Sequence, residues 1–141
     1  RLVAGLGLKL GYAPWLDLWN DTFEPNEPMQ NLLKELRGQV RIWGLSNTNV
    51  DHLGLLKAHF RVLDSFEGVT ASCDVGARKP ETAIYVAALK SLGLAGSEVL
   101  YLDDVEAYAC AAESLGIRPF HYTFNDSVLR QSLKGMGFAL A

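Results

Sequence analysis

Short apolar runs alternate with segments of helical period along most of this chain, and that alternation constrains its fold more than anything else in it. Val40-Arg-Ile42-Trp43-Gly-Leu45 reads as a buried strand and Val99-Leu-Tyr-Leu102 as another, with Ile117 to Tyr122 as a further one. Between and around them lie helical patterns. Met29, Leu32, Leu33 and Leu36 fall at i, i+3, i+4, i+7, and Gly38 stops that run, which predicts a helix over 29–37. Helices are likewise predicted over 50–59, from Pro80 to Gly93, over 105–115 and over 126–134. Residues 61–66 read as extended, with a short strand at 68–72. Strands separated by helices of about ten residues give βαβ units, hence an α/β fold with a parallel sheet and helices on both faces.

Composition narrows the function classes. The 141 residues suffice for one domain, and 49% apolar with 21% charged residues is a globular balance. Thirteen Lys and Arg against sixteen Asp and Glu give a net charge of −3, with no basic run. Nucleic acid and anionic membranes are therefore not expected partners. No apolar stretch is long enough to span a bilayer. Cys73 and Cys110 form no disulfide framework, and His52, His59 and His121 are scattered without zinc spacing. A reduced, cytoplasmic compartment is the default expectation. Cys110, on an Ala-rich helix, is expected to be buried, and Trp15, Trp19, Trp43 and Phe23 to pack in the core or at an interface.

Ligands of open parallel sheets bind beyond the carboxyl ends of the strands. Ser46-Asn47-Thr48-Asn49 follow the first strand, Gly76-Ala-Arg78-Lys79-Pro80 follow the 61–72 segment, and Asp103-Asp104 follow the strand ending at Leu102. A hydroxyl, an amine and two carboxylates on one edge suit phosphoryl transfer, which needs a metal, a cation and hydrogen-bond donors around phosphate oxygens. Plainer readings stand beside this one. Ser46, Asn47 or Asn49 can cap the helix that follows, and Asp104 can cap the helix at 105–115. One cap needs one carboxylate, however, and two adjacent ones repel unless a cation sits between them. Lys79 can be a solvated loop lysine. Yet a cation before a helix N-terminus opposes the helix dipole by about 0.3–1 kcal/mol, a cost that a bound anion reverses.

In their order along the chain these motifs resemble the haloacid dehalogenase-like (HAD) hydrolase superfamily, in its phosphatase-like branch with a small helical cap. The resemblance rests on Leu45-Ser46-Asn47-Thr48-Asn49, on Gly76-Ala-Arg78-Lys79-Pro80-Glu81, and on Val99-Leu-Tyr-Leu-Asp103-Asp104 followed by Ala111-Ala112-Glu-Ser-Leu-Gly116. It covers roughly residues 28–122. It implies a three-layer Rossmann-like core. It implies that Ser46 holds the transferring phosphoryl group with help from the backbone around Asn47. It further implies that Lys79 neutralises nucleophile and phosphate, and that Asp103 and Asp104 hold Mg²⁺. The acidic pair favours hydrolysis of a small phosphate monoester through an aspartyl-phosphate over metal-independent dehalogenation. Tyr108 stands where relatives often carry Asn.

The family's first motif, an apolar strand ending in Asp-x-Asp whose first Asp is the nucleophile, is not found. Asp17 and Asp21 are four apart with no apolar strand before them. The expectation is that residues 1–23 are a cap remnant, that 24–141 are a core lacking its first strand, and that the nucleophile lies upstream of Arg1. Three situations remain open: a longer parent protein, a strand supplied by another chain, or an inactive relative serving as a binding or structural domain. On any of them the 141 residues alone are expected to be inactive. A receiver domain, which also uses an acidic pair, a hydroxyl and a lysine, has the opposite motif order.

Overall fold

The computed structural model describes residues 25–59 and 61–141, together with Gly11 and Pro14. The expected cap remnant at 1–23, and with it Trp15, Trp19, Phe23, Asp17 and Asp21, lies outside the described residues, apart from Gly11 and Pro14.

Helix α1 spans Glu27–Leu36 and starts where Asn26 accepts the Met29 N–H at 3.0 Å. Strand β1 (Trp43–Ser46) follows, then α2 (Val50–His59), a 3₁₀ turn (Arg61–Ser65), β2 (Gly68–Ala71) and the one-turn helix α3 (Ser72–Val75). Helix α4 (Thr82–Leu92), a 3₁₀ turn (Gly96–Glu98), β3 (Leu100–Asp103), α5 (Glu106–Glu113), β4 (Arg118–His121) and α6 (Asp126–Gly135) complete the order.

Both strand pairings are parallel. β1 lies against β2 with Trp43 opposite Gly68 and Ser46 opposite Ala71. β3 lies against β4 with Leu100 opposite Arg118 and Asp103 opposite His121. Among the described residues these are two separate two-stranded sheets rather than one. Ile117 is buried as its apolar character predicts, whereas Leu45 and Leu102 are half-buried.

Alternation along the strands sends side chains to two faces, and each face carries its own helices. On one, Leu100, Leu102, Ile42 and Phe120 pack against Leu32 and Leu36 of α1 and Leu129 and Leu133 of α6. On the other, Leu45, Val99 and Tyr101 pack against Ile84 and Tyr85 of α4 and Ala112 of α5. The architecture is thus the three-layer α/β arrangement, helices over both faces of parallel strands.

Two close approaches require glycine. The Trp43 indole lies across Gly68, where any Cβ would overlap its ring, and Trp43 Nε1–H donates to Thr70 Oγ1 at 2.9 Å. A Cβ on Gly96 would overlap the Leu115 carbonyl oxygen.

Several expectations are corrected. Residues 61–65 form a 3₁₀ turn, not an extended segment, because the Phe66 N–H closes back on the Leu63 carbonyl at 3.0 Å. Pro80 does not open α4. The Glu81 N–H donates to Arg78 O at 2.7 Å, so the chain turns across Pro80 and the helix begins at Thr82. Cys110 is exposed rather than buried, since the covered face of α5 is that of Ala109 and Ala112. No helix among the described residues is long and apolar enough to cross a membrane.

Candidate active site

Ser46 is the last residue of β1 and Asp103 the last of β3, so both sit at the carboxyl ends of parallel strands. Lys79, in the loop ahead of α4, joins the two strand ends. The Asn47 side chain accepts the Lys79 N–H on Oδ1 at 2.7 Å and donates from Nδ2 to the Lys79 carbonyl at 3.0 Å. Both backbone polar groups of Lys79 are thereby satisfied by one side-chain amide. The Lys79 side chain runs the other way, its Nζ 2.7 Å from Asp103 Oδ2. These side chains are 12% and 5% exposed, so the pair is largely withdrawn from water.

Asp103 has its carboxylate held by two near neighbours in sequence and by one distant lysine. Oδ2 accepts from Lys79 and from the Tyr101 hydroxyl, and Oδ1 accepts the Val105 N–H at 2.9 Å. Burial pushes its pKa up, but the hydrogen bonds from Lys79, Tyr101 and Val105 outweigh burial and hold it below the ordinary carboxylate value. Burial pushes the Tyr85 hydroxyl up to about 12, and Tyr101 moves in the same direction. Both tyrosines are therefore neutral donors at any physiological pH.

Asp104 behaves differently. It does not cap α5, whose N-cap is Val105; it is Asp103 that takes the Val105 N–H. Its carbonyl lies 3.1 Å from His121 Nε2, which gives His121 a contact the sequence did not suggest. Its carboxylate is exposed and has no hydrogen-bond partner among the described residues. The Ser46 hydroxyl likewise has none among them. Asn49 does cap α2, accepting the His52 N–H at 2.9 Å.

The donor set offered to a metal is all oxygen, which suits a hard cation such as Mg²⁺. Asp104 is open, and Asp103 Oδ1, holding one N–H, retains a lone pair. No group of three His, Cys, Asp or Glu gathers among the described residues, so the pair would fill only part of an octahedral shell.

The grouping of three tyrosines around Lys79 was not read from the sequence, where only Tyr108 was singled out, as standing at a place where relatives often carry Asn. Tyr101, Tyr85 and Tyr108 all touch the Lys79–Asp103 pair or each other. Alternation along β3 was an available signal, because residues 101 and 103 leave the same face of the strand.

A family model described as a haloacid dehalogenase-like hydrolase matches residues 4–116. The sesquiterpene phosphatase astK of Aspergillus oryzae is 31% identical over 100 residues, which is 70% of this chain and 51% of that protein. This chain thus spans about half the length of that relative. A HAD family enzyme of Bacteroides thetaiotaomicron, solved in complex with magnesium and inorganic phosphate, superposes with a TM-score of 0.73 at 28% identity. That match covers 84% of this chain and 63% of the enzyme. A HAD-like hydrolase of Porphyromonas gingivalis superposes with a TM-score of 0.73 at 25% identity over 92% of this chain and 69% of its own.

Proposed function

This chain belongs to the haloacid dehalogenase-like hydrolases, and on that premise we propose that it forms the phosphate-handling part of a Mg²⁺-dependent phosphatase. The carrying observation is the Lys79–Asp103 pair, withdrawn from water at a strand end and tied by the Lys79 backbone to the side chain of Asn47, the residue after Ser46. The relative named as a phosphatase and the neighbour solved with magnesium and phosphate support the same reading.

In this reading Lys79 uses one of its three N–H donors on Asp103 and offers the others to the transferring phosphoryl oxygens. The Ser46 hydroxyl donates to a second oxygen, and the turn at Asn47 supports the third. Asp104 and the free lone pair of Asp103 hold Mg²⁺, which when bound neutralises charge on the phosphoryl group. The proposed nucleophile is an aspartate on a strand outside the described residues. It attacks phosphorus, and the ester's alcohol leaves with a proton taken from solvent. Water then cleaves the aspartyl-phosphate to inorganic phosphate and the restored carboxylate.

The alcohol proposed is apolar. Val105, next in sequence to the acidic pair, is exposed, and so is Phe124, by 68% and in a left-handed conformation (φ 58°) that non-glycine residues seldom adopt. The Tyr122 N–H donates to the Asp103 carbonyl at 2.8 Å, which places Phe124 two residues beyond the site. The sesquiterpene phosphatase relative points the same way.

The test is phosphate release by the full-length protein from p-nitrophenyl phosphate, a prenyl monophosphate and a sugar phosphate. The expected result is release that is fastest from the prenyl ester and abolished by a chelator. Lys79→Ala should slow it on the order of 100-fold, as loss of a buried charge donor does. Ser46→Ala should slow it about tenfold or less, the scale of one neutral hydrogen bond. No release from any ester overturns the reading in favour of an inactive, binding or structural domain.

A further inference from the structure

The phosphate reading leaves three tyrosines unused, yet they converge on its lysine. Tyr101 and Asp103 leave the same face of β3, and the Tyr101 hydroxyl donates to Asp103 Oδ2, the oxygen that also accepts from Lys79 Nζ. Tyr108, on α5, sets its ring beneath Lys79, with Nζ 5.1 Å from the ring centroid. Tyr85, on α4, braces both. Its ring meets that of Tyr101 edge-on at 5.6 Å and 87°, and its hydroxyl donates to the Tyr108 carbonyl at 2.8 Å. The ammonium therefore has a carboxylate on one side and an aromatic face on another.

Core packing alone does not account for this arrangement. A phenylalanine at 101 would fill the same space, so what the hydroxyl adds is its bond to Asp103. A long lysine side chain loses more rotamer freedom than most when it is fixed. Two directional partners meet that cost at folding rather than when substrate arrives. We propose that Tyr101 and Tyr108 are positioning residues for Lys79, Tyr101 by fixing the carboxylate that the ammonium faces and Tyr108 by bounding its travel with a cation–π contact. The kinetic consequence rests on the phosphatase reading; the placement of the ammonium does not.

Both halves are tested in the full-length protein. By NMR, the Lys79 ε-methylene protons, assigned by their disappearance in Lys79→Arg, should lie upfield of the other lysines because of the Tyr108 ring current. The shift should vanish in Tyr108→Leu and persist in Tyr108→Phe, which keeps the ring. In kinetics, Tyr101→Phe and Tyr108→Leu should each lower kcat roughly three- to tenfold, the range of one hydrogen bond or one cation–π contact, with KM within twofold. Tyr108→Phe should restore kcat. An ε-methylene resonance that is the same in the unsubstituted protein and in Tyr108→Leu overturns the proposal, as does a rise in KM with kcat unchanged. If the resonances respond as expected but no phosphate ester is cleaved, the phosphatase reading falls while the positioning of Lys79 stands.

Discussion

A carboxylate as enclosed as that of Asp103 needs a counter-charge, and Lys79 supplies it at 2.7 Å. Removing one member of such a pair leaves the other charged in a poorly solvated place, which typically costs several kcal/mol. Lys79→Met should therefore lower the unfolding free energy in urea by about 3 kcal/mol. The double variant Lys79→Met, Asp103→Asn should lose less than Lys79→Met alone, because no charge is stranded. Equal losses would show that the two groups are energetically independent. Lys79 and Asp103 were legible in the sequence because strand ends are where α/β sheets present chemistry. What could not be read there is that they meet each other, since 24 positions separate them. Nor could the use of the Asn47 amide on the Lys79 backbone be read, because only the folded loop brings those groups together. The roles of Tyr101 and Tyr108 beside Lys79 were hidden for a different reason: an aromatic in an apolar strand or an Ala-rich helix looks like packing.

At the scale of elements, glycines separate close approach from simple flexibility. Gly96 sits where a Cβ would overlap backbone, whereas a Cβ on Gly54, in the middle of α2, meets nothing within 4 Å. Gly96→Ala should destabilise the protein by about 1–3 kcal/mol, as overpacking does. Gly54→Ala should stabilise it by up to about 1 kcal/mol through helix propensity. Thermal unfolding of both variants checks the contrast, and shifts of the same sign would contradict the placement of Gly96 against Leu115. Elements with a strong period were readable: α1 and α6 differ from prediction by at most two residues at an end, and α2 occupies the predicted 50–59 although its apolar residues are spread around the helix. The failures lie where local pattern was ambiguous. Residues 61–66 were read as extended although their apolar positions follow no period of two, and a single turn satisfies their backbone within the segment. Pro80 resembled a helix start, but the turn from Arg78 to Glu81 takes up that position.

At the scale of the whole molecule, the chain's last described segment is strapped to α1. Arg130 forks onto Glu35 with bonds of 3.0 and 2.7 Å, and the Ala141 N–H donates to the same carboxylate at 2.9 Å. Gln39 binds Ala139 through both its amide groups, at 2.8 and 2.9 Å. The Arg130 hydrogen bond, followed by that of Ala141, lowers the Glu35 pKa from 4.5 to about 2. A folded-state pKa below the unfolded one adds stability that is present above pH 4.5 and is lost as pH falls towards 2. The stability gap between the unsubstituted protein and Glu35→Gln should therefore close across that window in urea titrations; a gap independent of pH would refute the linkage.

The same strap joins positions 95 apart in the chain. Synthesis at about 5–20 residues per second delivers α6 some 5–20 s after α1 has emerged. For that interval Leu32 and Leu36 wait without Leu129 and Leu133, the partners that cover them in the finished fold. Between those two moments the growing chain presents the stripe of Leu32 and Leu36 without the α6 side chains that later cover it.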